Sequence, residues 1–294
     1  MKIFDPHVHM TSRTTDDFEA MAEAGIVAVI EPAFWTGQPR TNAGTFEDYF
    51  LSILGWERFR ANQFGIHHFC TLSLNPKEAN NPLVAQGVID LLPRYLEKDG
   101  VVGIGEIGFD DQTEAEVKYL NLQIEMAAEY KLPILVHTPH RDKKQGTQRL
   151  IDTIKEHGIP ENLVLIDHNT ELTLGMTLDA GYWAGHSLYP HTKMTEERMA
   201  ELINQYGSDR IIVNSAADWG VSDPLKVAKF VKVMQEQGKD DALIEKIVWN
   251  NPIEFFSQSG RLDFKTVANR PRVDQTQLFE GSSVLRGQTP RIED

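Results

Sequence analysis

One cysteine, Cys70, is all that the 294 residues contain, so no disulfide can form within the chain and a scaffold stapled by such bridges is excluded. Long apolar runs are missing as well. No stretch approaches the roughly 20 consecutive apolar residues of a membrane-crossing helix, and the opening MKIFDPHVH has neither the apolar core nor the small-residue cleavage site of a secretory signal. These absences lead to the expectation of a protein of the reducing cytoplasm with no membrane anchor. Basic residues are outnumbered: 29 Lys and Arg stand against 43 Asp and Glu, a formal charge of −14. Such a field repels polyphosphates, and no stripe of Lys and Arg offers a groove for displacing counterions. A small molecule is therefore the expected substrate and duplex nucleic acid is not, while a divalent cation can still find a local cage.

What is present is a repeat of short β-rich runs and longer amphipathic ones. The first are KIFDPHVH at the start, IVAVIEP (26–32), GIHHFCTLSLNP (65–76), VVGIGEIG (101–108), LPILVHTP (132–139), NLVLIDHN (162–169), GYWAGHSLYP (181–190) and DRIIVNSAADWG (209–220). Helical periods fill residues 14–25, 113–131, 147–158, 195–207 and 223–238. Eight strand–helix units favour an α/β fold of the (β/α)8 TIM-barrel kind over residues 1–262, because a doubly wound open sheet of about six strands leaves two without a place. Two segments break the repeat. Residues 33–64 form a long link rich in aromatics, readable as a lid over the loop face or as a helix packing Phe50, Leu54 and Trp56 on the barrel wall. Residues 263–294 read as an extended tail whose Leu278, Phe279, Val284 and Leu285 are candidates for docking on the barrel, on a partner or on a second copy.

Ionisable residues gather at one end of this repeat. His7 and His9 share a parity with Asp5 at the close of the first strand, a spacing at which two imidazoles can grip one metal. Glu106 sits in the apolar and small-residue run VVGIGE, where a carboxylate is costly unless a cation or strong donor holds it. His137 closes PILVH, His168 closes NLVLIDH, and Asp218 follows DRIIVNSA. A capping or hydrogen-bonding role explains any one of them, but all six fall at the carboxyl ends of strands, the active face of a barrel. Imidazoles mixed with carboxylates suit zinc or another borderline divalent ion, manganese included, better than magnesium or calcium. Six ligands exceed the three that an open catalytic zinc needs, so two divalent ions bridged by a carboxylate are the natural arrangement.

DPHVHM, GEIGFD, PILVH, the strand end at His168, Asp218 and WNNPIEFF (249–256) together resemble the TatD-type metal-dependent hydrolases of the amidohydrolase superfamily, over about residues 1–258. The resemblance implies that His7, His9 and Asp218 hold one metal, that His137 and His168 hold the other, and that Glu106 bridges them. It differs from the usual nuclease pattern in having Asn75-Pro76 for His-Pro, His168-Asn169-Thr170-Glu171 for a His-Cys-Phe-Ser-Gly-like run, and Ser215-Ala216-Ala217-Asp218 for Glu-Thr-Asp. A divergent branch of predicted hydrolases is the nearer likeness.

The expected chemistry is attack by water whose proton passes to Asp218, with Glu106 between the metals. Candidate substrate contacts are Trp35, Arg40, His140, Arg141, His186 and Tyr189, with Lys143 and Lys144 adding positive charge; a solvated charge run is the plainer account of the last group. Hydrolysis of a small-molecule phosphoester leads, followed by hydrolysis of a cyclic amide or lactone. A non-catalytic metal-binding scaffold and a TatD-like deoxyribonuclease are the remaining alternatives.

Overall fold

In the computed structural model, which describes residues 1–273, eight parallel strands follow one another in chain order around a nearly closed barrel. They are β1 (Ile3–Asp5), β2 (Ile26–Pro32), β3 (His67–Leu72), β4 (Val101–Gly108), β5 (Ile134–His137), β6 (Val164–Ile166), β7 (Trp183–Ser187) and β8 (Ile211–Asn214). Each lies within one of the eight β-rich runs. The seam between β8 and β1 is made just past the strand ends: Ala216 N donates to the His7 carbonyl and His9 N to the Ala217 carbonyl, both at 2.8 Å. The chain thus remains extended beyond β1, which is what carries the two histidines onto the rim.

Every strand sends at least one side chain into a single apolar cluster, among them Phe4, Ile30, Phe69, Val102, Leu135, Leu165, Trp183 and Ile212. A cluster fed by all eight strands is the barrel interior, a packed core and not a pore. It continues below through Trp249 and through Ile253, Phe255 and Phe256 of the helix Asn251–Ser257, which closes the amino-terminal end of the barrel. Asn251 fixes that plug, its buried amide donating to the carbonyls of Ser208 (2.8 Å) and Ile211 (2.7 Å) at the start of β8. Asn251→Ala strands both acceptors and is expected to lower the unfolding free energy by about 2 kcal/mol, read from urea denaturation.

Residues 33–64 settle on the barrel wall. The helix Ala43–Leu51 and the wider turns of Ser52–Glu57 bury Phe46, Phe50 and Ile53 in the layer that also takes in Cys70 and Leu72 of β3. Arg40 is inserted between the rings of Phe46 (4.2 Å) and Tyr49 (4.5 Å) and pairs with Glu78. Leu54 is partly buried, whereas Trp56 is 40% exposed and stacks on Phe59. At the far end Leu262 and Val267 are buried and Arg270 donates to the Ala22 carbonyl at 2.8 Å, so the chain past 262 first lies against the barrel. Leu278, Phe279, Val284 and Leu285 fall outside the described residues. Among the described residues no helix is long and apolar enough to cross a membrane.

Candidate metal centre

Above the apolar interior the side chains turn polar, and Glu106 of β4 occupies the middle. Its two oxygens are divided between two pairs of imidazoles. Oε1 lies 3.3 Å from His7 Nε2 and 3.8 Å from His9 Nε2, while Oε2 lies 3.0 Å from His137 Nδ1 and 3.1 Å from His168 Nε2. His7 Nε2 and His9 Nε2 face each other at 3.3 Å. For nitrogen ligands about 2.05 Å from a tetrahedral cation, the ligand-to-ligand edge is about 3.3 Å, so these spacings match those of shared ligands. Glu106 Oε1 is buried without a well-aligned hydrogen bond among the described residues, as a carboxylate oxygen reserved for a cation is. His7, Glu106 and His168 bring ligand atoms within 4.8 Å of one another.

Two glycines allow this approach. Gly108 ends β4 at φ +135°, and a Cβ there would stand 2.2 Å from the His137 carbonyl oxygen, so only glycine lets β4 and β5 close with Glu106 against His137. Gly185 of β7 leaves the space in which Asp167 sits; a Cβ would meet Asp167 Oδ1 at 2.4 Å. Asp167 Oδ2 accepts from His7 Nδ1 at 2.6 Å, Asn214 donates to both carboxylate oxygens at 3.0 and 3.1 Å, and the His168 amide donates to Oδ1 at 2.7 Å. His168 itself is held at φ +58°, in the left-handed region that few residues other than glycine adopt. Asp5 joins the seam, accepting from the backbone amides of His7 and Ser215, each at 3.2 Å.

The site is rich in negative charge. Burial raises Glu106, but the His7 charge and hydrogen bonds from His137 and His168 outweigh it and hold the carboxyl well below its usual range. Asp167 is likewise held low against its burial, by its neighbours His168 and His7. For His7, burial works against the charged ring, yet Glu106 and Asp167 lift it to about 10. Burial, and then the His7 charge, take His9 down to about 4, and burial with the Lys193 charge lowers His168. A proton on His7 and a cation at its Nε2 are therefore two ways of neutralising one pair of carboxylates. Zinc uptake at pH 7 is expected to release about one proton from His7, measurable with an indicator dye in weak buffer; no release contradicts the assignment. Because the folded value lies above the ordinary 6.5, the His7 contribution to stability is complete below pH 6.5 and is lost toward about 10. Chelator-treated protein should accordingly lose thermal stability from pH 7 to 10, and added zinc should suppress that loss.

The other residues singled out in the sequence divide. Asp218 lies on the wall of a cavity of about 220 Å3 shared with His7, His9, Glu106, His137 and His168. Its Oδ1 accepts from the Tyr189 hydroxyl at 2.8 Å and from Gly220 N at 2.9 Å. Tyr189 and His140 share that wall. Arg141 is exposed, and His186 is buried with Nδ1 3.2 Å from the Asn169 carbonyl. Arg40 is committed to Glu78 and, at 2.9 Å, to the Phe34 carbonyl. Trp35 lies under the Lys77 ammonium at 4.9 Å, and its neighbour Phe34 covers the centre, 5.1 Å from the His137 ring and 5.9 Å from His9.

Sequence reasoning passed over Asp167, Phe34, Lys193 and Arg13. Asp167 had a visible signal, an acid next to His168 at a strand end. Lys193 comes from the loop after β7, its Nζ 3.2 Å from His168 Nδ1. Arg13 donates to the Asp218 carbonyl and, at 3.3 Å, lies near Ser222 Oγ.

Comparison with known proteins bears on this arrangement. A sequence profile described as "TatD related DNase" matches residues 4–257. A protein of Methanocaldococcus jannaschii described as an uncharacterized metal-dependent hydrolase is 28% identical over 254 residues, 86% of this chain and 99% of that one. Among solved structures, a TatD-like protein of Archaeoglobus fulgidus superposes with a TM-score of 0.71 at 24% identity, covering 86% of this chain and 99% of its own. The phosphotriesterase homology protein of Escherichia coli, solved with phosphate in its active site, gives 0.63 at 15% identity, covering 87% and 98%. The two structural likenesses speak for the barrel.

Proposed function

The chain belongs to the TatD related DNase family, and on that premise we propose that this metal-dependent hydrolase holds two divalent cations, zinc or a similar borderline ion such as manganese, and cleaves a phosphoester of a small molecule. The observation that carries the reading is the division of Glu106, one oxygen toward His7 and His9 and the other toward His137 and His168. His7, His9 and Asp218 would hold one ion, His137 and His168 the other. The family description points to phosphoesters, and the charge of −14 without a basic stripe turns the expectation from polynucleotide to small molecule.

A bound divalent pair supplies Lewis acidity, easing deprotonation of water and polarising the oxygen under attack. The chain's own groups do the rest. Asp218 receives the proton: Tyr189 and Gly220 hold its Oδ1, leaving Oδ2 for the water. Burial and the adjacent Asp218 push the Tyr189 phenol up, so it remains a donor. Arg13 anchors the Asp218 backbone, and Phe34 keeps bulk water from one side of the histidines.

Two measurements test this together: elemental analysis of gently purified protein, and a panel of phosphate monoesters, diesters, lactones and cyclic amides with zinc or manganese. About two metal equivalents and turnover of phosphate esters are expected, with Asp218→Asn losing about 10² to 10⁴ in rate when assayed at saturating metal. Conversion of lactones or cyclic amides alone would replace the phosphoesterase reading. Metal without turnover on any substrate would leave a scaffold, and cleavage of single-stranded DNA abolished by Asp218→Asn would restore a nuclease.

A further inference from the structure

Beside the centre lies a second cavity, of about 260 Å3, and His140, His168, Thr192 and Lys193 belong to the walls of both. Lys143 lines only the second. The carboxylate on that wall, Glu171, is already neutralised, since Arg198 Nε and Nη2 grip its two oxygens at 2.7 Å each. Lys143 and Lys193 are not so matched. Among the described residues neither forms an ion pair: Lys143 Nζ donates to Thr138 Oγ1 at 2.6 Å and to the Thr138 carbonyl at 3.3 Å, and Lys193 Nζ stands 3.2 Å from His168 Nδ1. Both are half-buried.

Ordinary structural roles fit these lysines poorly. Lys143 is the first residue of the helix Lys143–His157, the end at which the helix dipole disfavours a cation. Burial, and then the neighbouring Lys193 charge, bring Lys143 down to about 7, a shift that an anion seated between the two amines would reverse. Lys193 can only donate a hydrogen bond. If His168 offers Nε2 to a cation, its Nδ1 bears the proton, which Ser187 Oγ at 2.6 Å is placed to accept. The Lys193 ammonium then has no acceptor on that ring and faces the cavity. Two amines on one cavity wall, neither within ion-pair reach of a carboxylate among the described residues, leave a place for an anion from outside.

We propose that this cavity is an anion subsite, in which Lys143 and Lys193 hold a phosphate or carboxylate of the substrate separate from the ester cleaved at the centre. The substrate class is therefore a phosphoester with a second anionic group, and this inference rests on the phosphoesterase reading.

Binding without turnover tests it. Chelator-treated full-length protein is titrated calorimetrically with inorganic phosphate and with succinate, alongside the variants Lys143→Met, Lys193→Met, Lys193→Arg and Lys155→Met. Lys155 is exposed at the far end of the same helix. At least one anion is expected to bind the wild type, with affinity reduced about tenfold or more in both lysine-to-methionine variants. It should be retained in Lys193→Arg, which keeps the charge, and unchanged in Lys155→Met. Thermal melts confirm that each variant is folded, and Lys143, absent from the central cavity, makes its variant decisive. Tighter phosphate binding assigns a second phosphate, and tighter succinate binding a carboxylate. No binding of either anion, or equal binding by wild type and Lys143→Met, overturns the subsite. Because no metal or turnover is involved, the result stands apart from the ester screen, whose failure would remove the phosphoesterase reading alone.

Discussion

Glu106→Gln is expected to reduce the bound metal to at most one equivalent per chain and to slow hydrolysis by about 10³-fold or more, while the barrel stays folded. The substitution keeps the shape of a fully buried side chain and removes the charge that two pairs of imidazoles share. An amide has one acceptor oxygen, so it can face either His7 and His9 or His137 and His168, and its NH2 group must then point at ring nitrogens that have to remain unprotonated to hold a metal. The apolar interior from Phe4 to Ile212 lies beneath this layer and is untouched. Elemental analysis with a thermal melt and a rate measurement decides the matter. Full metal content at the wild-type rate would remove Glu106 from its bridging place.

A second large effect is expected at a residue that touches no metal in the scheme. Asp167→Asn should weaken zinc binding by about 10- to 100-fold, measured by competition with a chromophoric chelator, with little change in the fold. Asp167 orients His7 through a 2.6 Å contact at Nδ1 and so leaves Nε2 as the ligand atom. Asn214 and the His168 amide hold the carboxylate in place. Asparagine keeps one acceptor but loses the charge that helps lift His7 toward 10. The same variant should therefore release less than the about one proton expected of the wild type on zinc uptake, a readout that a merely structural role would leave unmoved.

Much of this was legible in the sequence, for physical reasons. Barrel strands buried on both faces read as continuous apolar runs, and VVGIGEIG and IVAVIEP coincide with β4 and β2 to the residue. His7, His9, Glu106, His137 and His168 were conspicuous because ionisable groups are expensive at the ends of such runs. Residues delivered by loops were harder to see. Which of Phe34 and Trp35 turns inward depends on one step of register past β2, and composition favours the larger ring. Arg40 reads as a free cation because its partner, Glu78, is 38 residues away. Lys193 meets His168 across 25 residues, brought there by the loop after β7. Long-range pairing of this kind leaves no periodic trace.

Arg40, seated between two aromatic rings and bound to Glu78 and the Phe34 carbonyl, rivets the segment after β2 to its neighbours. That flank of the mouth behaves as a fixed jamb. The side on which the centre opens is the one it shares with the adjoining cavity, along His140, His168, Thr192 and Lys193, because the turns carrying Tyr189 and Asp218 are tied to each other at 2.8 Å. The mouth is thus one-sided, and its far wall is built by the segments after β5 and β7 that carry His140, Lys143, Thr192 and Lys193.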